Sequence, residues 1–376
     1  MLVVILIAVV GVNLAPFVFN KLDLWHAQGM WVQISLAFLF SWSFFEKPRN
    51  VPLGLLHLWV ALSTAYACYL SQLSGKYNIQ NFFPYFNFLC LLIYYQIFVQ
   101  RLNISKVETI MKYMRWAVIG TMILCVLQKM GVSQFFALLT PKDSLEFRYS
   151  NNLMVGILGN GAHLSGFLAS CAPLFLWKFN RENLLCLILL FLLLCSCGQS
   201  TWDISINGFI VFGVILAIFI FKKSKVWFGV FILTGIVAAL IAAKFLPFFL
   251  SDNGRFELWA YYWKVIKDFF ITGVGLGKVN QVYRLTPFKH TRHLHLEYYQ
   301  FLLELGFIGL VLIINLIVNF FNKKVAGETQ FILKLMVIGF LTSCLFNYPA
   351  HLWLTSLWAM TAYAGNMVCK ESSIQQ

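Results

Sequence analysis

Charged side chains are scarce in this sequence. They make up 11% of its 376 residues, against about 25% in ordinary soluble domains. Hydrophobic residues make up 60%, more than a soluble core absorbs, and they occur in blocks of about twenty, the length that carries a helix across roughly 30 Å of hydrocarbon. We therefore predict an all-α, polytopic membrane protein and exclude a soluble domain.

The apolar blocks, read between their polar breaks, predict about twelve transmembrane helices. No basic residue precedes the first block and no small-residue cleavage site is visible, so we expect a retained span and not a signal peptide. We find no internal repeat, low-complexity tract or separate soluble domain, and residues 1–376 are expected to form one membrane domain. The predicted spans cover residues 1–19, 27–45, 51–72, 82–100, 115–132, 159–177, 184–199, 203–221, 226–247, 299–321, 329–347 and 350–368.

Signatures of metal and nucleotide chemistry are also missing. The nine cysteines have no paired CxxC spacing and no companion histidines, so we expect small hydrophobic residues and not metal ligands. No DxD or similar carboxylate pair is present to hold a divalent ion on a nucleotide diphosphate. We expect no metal, no cofactor and no nucleic-acid partner.

The distribution of lysine and arginine predicts the orientation in the membrane. With both termini in the cytoplasm, 15 of the 28 Lys and Arg residues face the cytoplasm, and seven of the other 13 fall in one loop, residues 248–298. Without that loop the ratio is 15 to 6, so this large loop between the ninth and tenth spans is predicted to be periplasmic. A shorter periplasmic loop is predicted at residues 133–158, and the localisation expected is a bacterial inner membrane.

The large loop 248–298 is basic on the side of the membrane where basic residues are disfavoured. It carries seven cations against four acids. Such a segment favours an anionic ligand, and on the outer face of a bacterial membrane the obvious ones are lipid-linked phosphates or pyrophosphates. The alternative is a loop long enough to be translocated regardless of its charge.

The end of this loop, KHTRHLHLEYYQFLLELGFIGL, brings basic and aromatic residues to the membrane interface. Histidine takes a proton from a hydroxyl near neutral pH, and the planar guanidinium of arginine binds phosphate oxygens. Glu297 and Glu304 follow on the helix that leads into the tenth span. The candidate residues of the segment are His290, Arg292, His293 and His295.

At these residues the sequence resembles the O-antigen ligase and O-antigen polymerase superfamily, which includes certain protein O-oligosaccharyltransferases. The resemblance covers roughly residues 145–310. The family pattern of a histidine followed by Glu-x-Gly and a further small residue is matched by His295, Glu304, Gly306 and Gly309. The family's loop opening, an arginine, then an aromatic residue and a Gly-rich turn, is similar to Arg255, Trp259, Gly273, Gly275 and Gly277.

A third motif, GNGAHLSGFLA from Gly159, is similar to the Gly-Asn-Pro-Asn-like start of a central span in that family, with Gly161 in place of the proline. The family's Ser-Arg pair is absent, because Thr201 and Trp202 stand at the corresponding place. A second phosphate-binding arginine would then either be missing or be supplied by Arg148 or Arg292.

The resemblance implies an inverting, metal-independent glycosyltransferase. It would move a glycan from undecaprenyl pyrophosphate to an acceptor hydroxyl of a glycolipid, glycan or protein at the periplasmic face of the bilayer. His295 would be the general base or position the acceptor, and the pyrophosphate would be bound by Arg255, Arg292 and Arg148. The motifs also imply supporting roles for Glu304, His293, Trp259 and Asn160.

Other interpretations stay open at this point. A polysaccharide polymerase of the same fold would differ only in its acceptor. A transporter or flippase of an anionic lipid or solute would be expected to show inverted repeats, charged residues scattered through several spans and broken helices at the bilayer midplane. At single positions, His295 would be either the base or an interfacial histidine that anchors the helix, and Glu304 and Asp203 would be either functional or carboxyls that fix helix packing. The GVGLG turn would either present amides to phosphate or simply be a flexible turn.

Overall fold

A computed structural model describes most of the chain. The described residues are 2–13, 28, 30–35, 54–73, 83–130, 132, 158, 160–197, 206–245, 255–277, 294–322, 325 and 327–374, with the backbone alone at 54, 67–73, 83, 237–245 and 370–374. Every regular element in these ranges is helical, as predicted. The helices are α1 (Leu2–Gly11), α2 (Gly54–Leu73), α3 (Phe83–Arg101), α4 (Ile104–Lys129), α5 (Gly161–Cys171), α6 (Pro173–Leu176), α7 (Arg181–Leu194), α8 (Ile206–Lys223), α9 (Lys225–Phe245), α10 (Arg255–Asp268), α11 (Glu297–Phe321), α12 (Glu328–Ser343) and α13 (Trp353–Ile374).

The helices coincide with the predicted apolar blocks wherever those blocks are described. Within the described ranges, three of them are long and apolar enough to cross a membrane: α4, α8 and α11. Helix α4 begins at Ile104 and not near 115, because the side chain of Asn103 accepts the Lys106 amide at 3.1 Å and caps a first turn that is polar but helical. The central block is interrupted between α5 and α6, where Pro173 cannot continue the ladder of hydrogen bonds.

Small residues allow the central helices to approach closely. A Cβ added at Gly208 of α8 would lie 2.7 Å from Cβ of Ser165 in α5, and one at Gly339 of α12 would lie 2.9 Å from Cα of Ser170. Asn207 joins the same three helices, since its side-chain amide donates to the Ala162 carbonyl at 3.3 Å and to Ser343 Oγ at 3.2 Å. Close contact and interhelical hydrogen bonds are the interactions that hold helices together in an apolar medium.

The segment predicted as the large loop contains an amphipathic helix, α10. Its residues Leu258, Tyr262 and Ile266 are buried at a spacing of four residues and pack with Leu294 and Leu303. This packing brings the beginning of the segment back onto its end, beside the start of α11.

Helix α11 is broken at Gly306, which has φ +67° and ψ −173°. The break frees the carbonyls of Leu303, Glu304 and Leu305 from their usual partners inside the helix. Each finds another donor: the Val274 amide at 2.9 Å, the Gly275 amide at 2.8 Å and the Trp59 indole N–H at 2.8 Å, respectively. In the other direction, the Phe307 amide donates to the Phe270 carbonyl at 2.7 Å.

The GVGLG turn therefore stabilises the broken helix through backbone hydrogen bonds. Gly273 has φ +68°, and a methyl group on it would overlap the carbonyl of Glu304. The amides of Val274 and Gly275 are occupied by helix carbonyls. These two amides are therefore not available to bind phosphate.

We predict that Gly273→Ala destabilises the protein, because alanine strains the positive φ at a cost of about 1–3 kcal/mol and its methyl group meets backbone that cannot rotate away. Gly120→Ala in α4 is the matched control, since a Cβ there meets no atom within 4 Å. Thermal unfolding in detergent, followed by circular dichroism, measures both. Equal unfolding temperatures for the two variants would contradict this role of the turn.

Candidate functional site

His295 lies in the short turn that precedes α11 and has an unusual backbone. Its φ is +53°, a left-handed conformation that costs a residue other than glycine about 1–2 kcal/mol. The turn is held from both sides, since the carbonyl of Leu294 accepts the Trp259 indole N–H at 2.8 Å and the Leu294 amide donates to Gln300 Oε1 at 3.3 Å. Strain of this kind persists where the surroundings over-determine it, and it is concentrated at functional sites.

Arg255, the first residue of α10, lies beside His295. Its guanidinium donates to the Phe346 carbonyl at 3.5 Å and acts electrostatically on the imidazole. The sequence places the two residues forty positions apart. The structure brings them together because α10 folds back onto the turn before α11.

The surroundings of His295 keep it neutral. Its pKa is lowered from 6.5 to about 4, mainly by burial and then by the charge of Arg255, while a hydrogen bond with the Asn347 side chain opposes both. The ring of Tyr348 contacts that of His295 with centroids 5.4 Å apart, and on its other side contacts His163 at 4.4 Å. At neutral pH the imidazole therefore has a lone pair available to accept a proton.

Trp259 connects the helices around this site. Besides its indole hydrogen bond to Leu294, its own carbonyl accepts the hydroxyl of Tyr299 at 2.8 Å. It therefore joins α10, the His295 turn and the first turn of α11. Through these contacts Trp259 positions the turn that carries the candidate base, His295.

A buried polar cluster lies behind the His295 turn. Glu297 and Glu304 of α11 are both 0% exposed, and His351 stands between them. His351 Nδ1 contacts Glu297 Oε1, and His351 Nε2 lies 3.1 Å from Glu304 Oε2. An imidazolium donates from both nitrogens, so a single proton on His351 satisfies both carboxylates.

An apolar cavity of about 470 Å³ adjoins the cluster. Its walls come from α2, α3, α11, α12, α13 and the Gly-rich turn after α10, and include Val60, Leu92 and Ile313. Gln300, Glu304 and His351 form a polar patch in this wall. Arg255 and His295 are not among the lining residues, so this cavity does not include the guanidinium–imidazole pair.

The other predicted site residues divide into two groups. Asn160 caps α5, since its side chain accepts the Ala162 amide at 2.8 Å, and this is a structural role. Glu304 belongs to the buried cluster. Outside the described residues lie Arg148, Asp203, His290, Arg292 and His293, and with them the predicted loop 133–158 apart from Leu158.

Sequence reasoning missed the segment between α12 and α13. Asn347 and Tyr348 surround His295, and His351 joins the two glutamates, yet none was selected. The signal available was topological: in the predicted layout this segment lies on the same side of the membrane as the start of α11. A histidine two residues after Pro349 at the beginning of an apolar block could have been selected on that ground.

Among the described residues, no group of three or more His, Cys, Asp or Glu side chains is arranged to hold a metal ion. No protein-family model and no curated protein matches this chain.

We predict that removing the charge of Arg255 raises the pKa of His295. In Arg255→Gln the imidazole should titrate above about 4, in the direction of 6.5, because the charge that adds to the larger effect of burial is gone. The pH dependence of His295 modification by diethyl pyrocarbonate, read by peptide mass spectrometry, measures the shift, since only the neutral ring reacts.

Lys264→Gln is the control for this measurement, because Lys264 is an exposed cation of the same helix. It should leave the His295 titration where it is. An Arg255→Gln profile that overlays the wild-type profile would contradict the proximity of the two side chains.

Proposed function

We propose that the protein is an inverting glycosyltransferase that moves a glycan from undecaprenyl pyrophosphate to an acceptor hydroxyl. The observation that carries the proposal is the juxtaposition of the Arg255 guanidinium with the neutral imidazole of His295. A permanent cation and an available base are the two groups that such a transfer requires when no metal takes part.

In the proposed reaction the acceptor oxygen attacks the anomeric carbon of the donor. The bond between that carbon and the pyrophosphate oxygen breaks, and the electron pair leaves with undecaprenyl pyrophosphate. His295 takes the hydroxyl proton, and Arg255 neutralises the negative charge that develops on the leaving group. Because attack and departure occur on opposite faces of the sugar, the configuration inverts.

The charge of Arg255 also couples donor binding to base strength. In the free protein its positive field lowers the pKa of His295. A bound pyrophosphate would offset that field, so the imidazole would become a stronger base only when the donor is present. Arg292 and Arg148 are proposed as further ligands of the pyrophosphate.

We further propose the topology of twelve spans in a bacterial inner membrane, with both termini in the cytoplasm and the loop 248–298 in the periplasm. Two groupings of residues support it. At the end assigned to the periplasm, the Glu297 amide donates to the Cys344 carbonyl at 2.9 Å. At the opposite end, Glu108 accepts hydrogen bonds from Lys178 Nζ at 3.1 Å and Thr329 Oγ1 at 2.8 Å.

The acceptor distinguishes a ligase from a polymerase. A ligase transfers to a glycolipid core or a protein, whereas a polymerase transfers to another lipid-linked repeat. Purified protein supplied with one lipid-linked glycan and competing acceptors identifies the acceptor from the product formed.

A transporter of an anionic lipid or solute is the second candidate function. One observation favours it: α11 is broken at Gly306 beside the buried Glu304, and broken helices near buried acids and cavities are features of transporter sites. Against it, the pair Arg255 and His295 lies apart from that break. Transfer measured in detergent separates the two, since a transporter has no activity without two compartments.

We predict that Arg255→Ala and His295→Asn each abolish glycan transfer, by at least about 100-fold. Asparagine tolerates the positive φ of residue 295 better than most residues, so that variant removes the base with little added backbone strain. Transfer from a purified undecaprenyl-pyrophosphate glycan in detergent measures the loss.

Lys264→Ala, which removes a neighbouring exposed cation, should transfer at the wild-type rate. Expression and unfolding temperature of all three variants show whether they are folded. Full transfer by folded Arg255→Ala and His295→Asn proteins would refute the assignment.

A further inference from the structure

Glu304 dictates the orientation of the Gln300 side chain. A carboxylate only accepts hydrogen bonds, so the amide must turn its NH₂ group toward Glu304. The observed distance from Gln300 Nε2 to Glu304 Oε1 is 3.1 Å. Gln300 Oε1 consequently points the other way, where it accepts the Leu294 amide at 3.3 Å.

His351 fixes Glu304 in turn. Its ring holds Glu304 on one side and Glu297 on the other, and Glu297 Oε2 accepts the Ala350 amide at 3.3 Å. The cluster is inaccessible to water at both carboxylates. Within an apolar environment such charged hydrogen bonds are stiff, because an unpaired carboxylate there is costly.

The cluster is thus connected to the turn that carries the base. The connection runs from His351 through Glu304 and Gln300 to the backbone of Leu294, the residue before His295. The left-handed backbone of His295 needs support from its neighbours, and Leu294 is the fully buried residue that receives it.

We propose that the Glu297–His351–Glu304 cluster, acting through Gln300, is the positioning device that holds His295 beside Arg255. Its members do not touch the reacting atoms, and His351 and Gln300 are positioning residues. The proposal rests on the proposed function for its kinetic consequence, but the geometry of His295 can be read without any transfer. Among the described residues, the charged and titratable groups facing His295 itself are Arg255 from α10 and Tyr348 from the segment before α13, and the ring of Tyr348 also contacts that of His163 in α5.

Gln300→Leu is the direct test, because it removes the amide, whose Nε2 lies 3.1 Å from both Glu304 Oε1 and His351 Nε2, and keeps all three charged side chains. We expect the turn to relax, the His295 titration to move upward from about 4 toward 6.5, and kcat to fall about 10- to 100-fold with little change in the KM for the donor. His351→Gln should act in the same direction. If His351→Gln fails to fold because the carboxylates lose their counter-charge, Gln300→Leu still tests the positioning role.

Gln330→Leu is the matched control. Gln330 is also a buried glutamine, and its amide donates to the Asn366 carbonyl at 3.4 Å, away from the site. It should lower the unfolding temperature comparably but leave the His295 titration and kcat unchanged.

These experiments distinguish a failure of the proposed function from a failure of the positioning role. If the wild-type protein transfers no glycan, the proposed function fails, while diethyl pyrocarbonate modification of His295 still tests the positioning. If the wild-type protein is active and Gln300→Leu matches it in both titration and kcat, the positioning role is overturned and the proposed function stands.

Discussion

The arrangement of the site depends on the exchange of hydrogen bonds between two stretches of backbone. Helix α11 breaks at Gly306, and the carbonyls that the break exposes are taken up by the amides of the Gly-rich turn that follows α10 and by the indole of Trp59. In an apolar surrounding such groups cannot be left without partners, because each costs several kcal/mol. The exchange therefore fixes α10 against the start of α11, and with it the positions of Arg255 and His295.

Two kinds of charge lie on either side of the His295 turn. On one side, the guanidinium of Arg255 and burial together keep the imidazole neutral and able to accept a proton. On the other side, the two carboxylates of Glu297 and Glu304 are paired with His351 and are closed off from water. In the proposed reaction a diphosphate would be attracted by the first group and repelled by the second, which favours the side of Arg255 for the donor.

The sequence predicted those features of the structure that depend on residues close together in the chain. Blocks of apolar residues predicted the helix positions, and the family-like spacing of Arg255, Trp259 and His295 selected residues that prove to be neighbours. It was uninformative where partners are distant: nothing local to Asn347, Tyr348 or His351 indicates that they meet residues some fifty positions earlier. The resemblance implies a supporting role for the glutamate of the Glu-x-Gly motif, but the glycine of the motif, Gly306, is required by the helix break. No hydrophobic pattern reports this break, because the residues on both sides of it are helix formers.

In the proposed reaction, Arg255 binds the donor pyrophosphate while His295 contacts the acceptor hydroxyl. A structure of the protein with a non-hydrolysable undecaprenyl-pyrophosphate glycan analogue, determined in lipid nanodiscs by electron cryomicroscopy, tests it most directly. We expect phosphate oxygens within hydrogen-bond distance of the Arg255 guanidinium and the anomeric carbon facing the imidazole of His295. A diphosphate bound elsewhere, or a sugar that cannot be approached from His295, would contradict it.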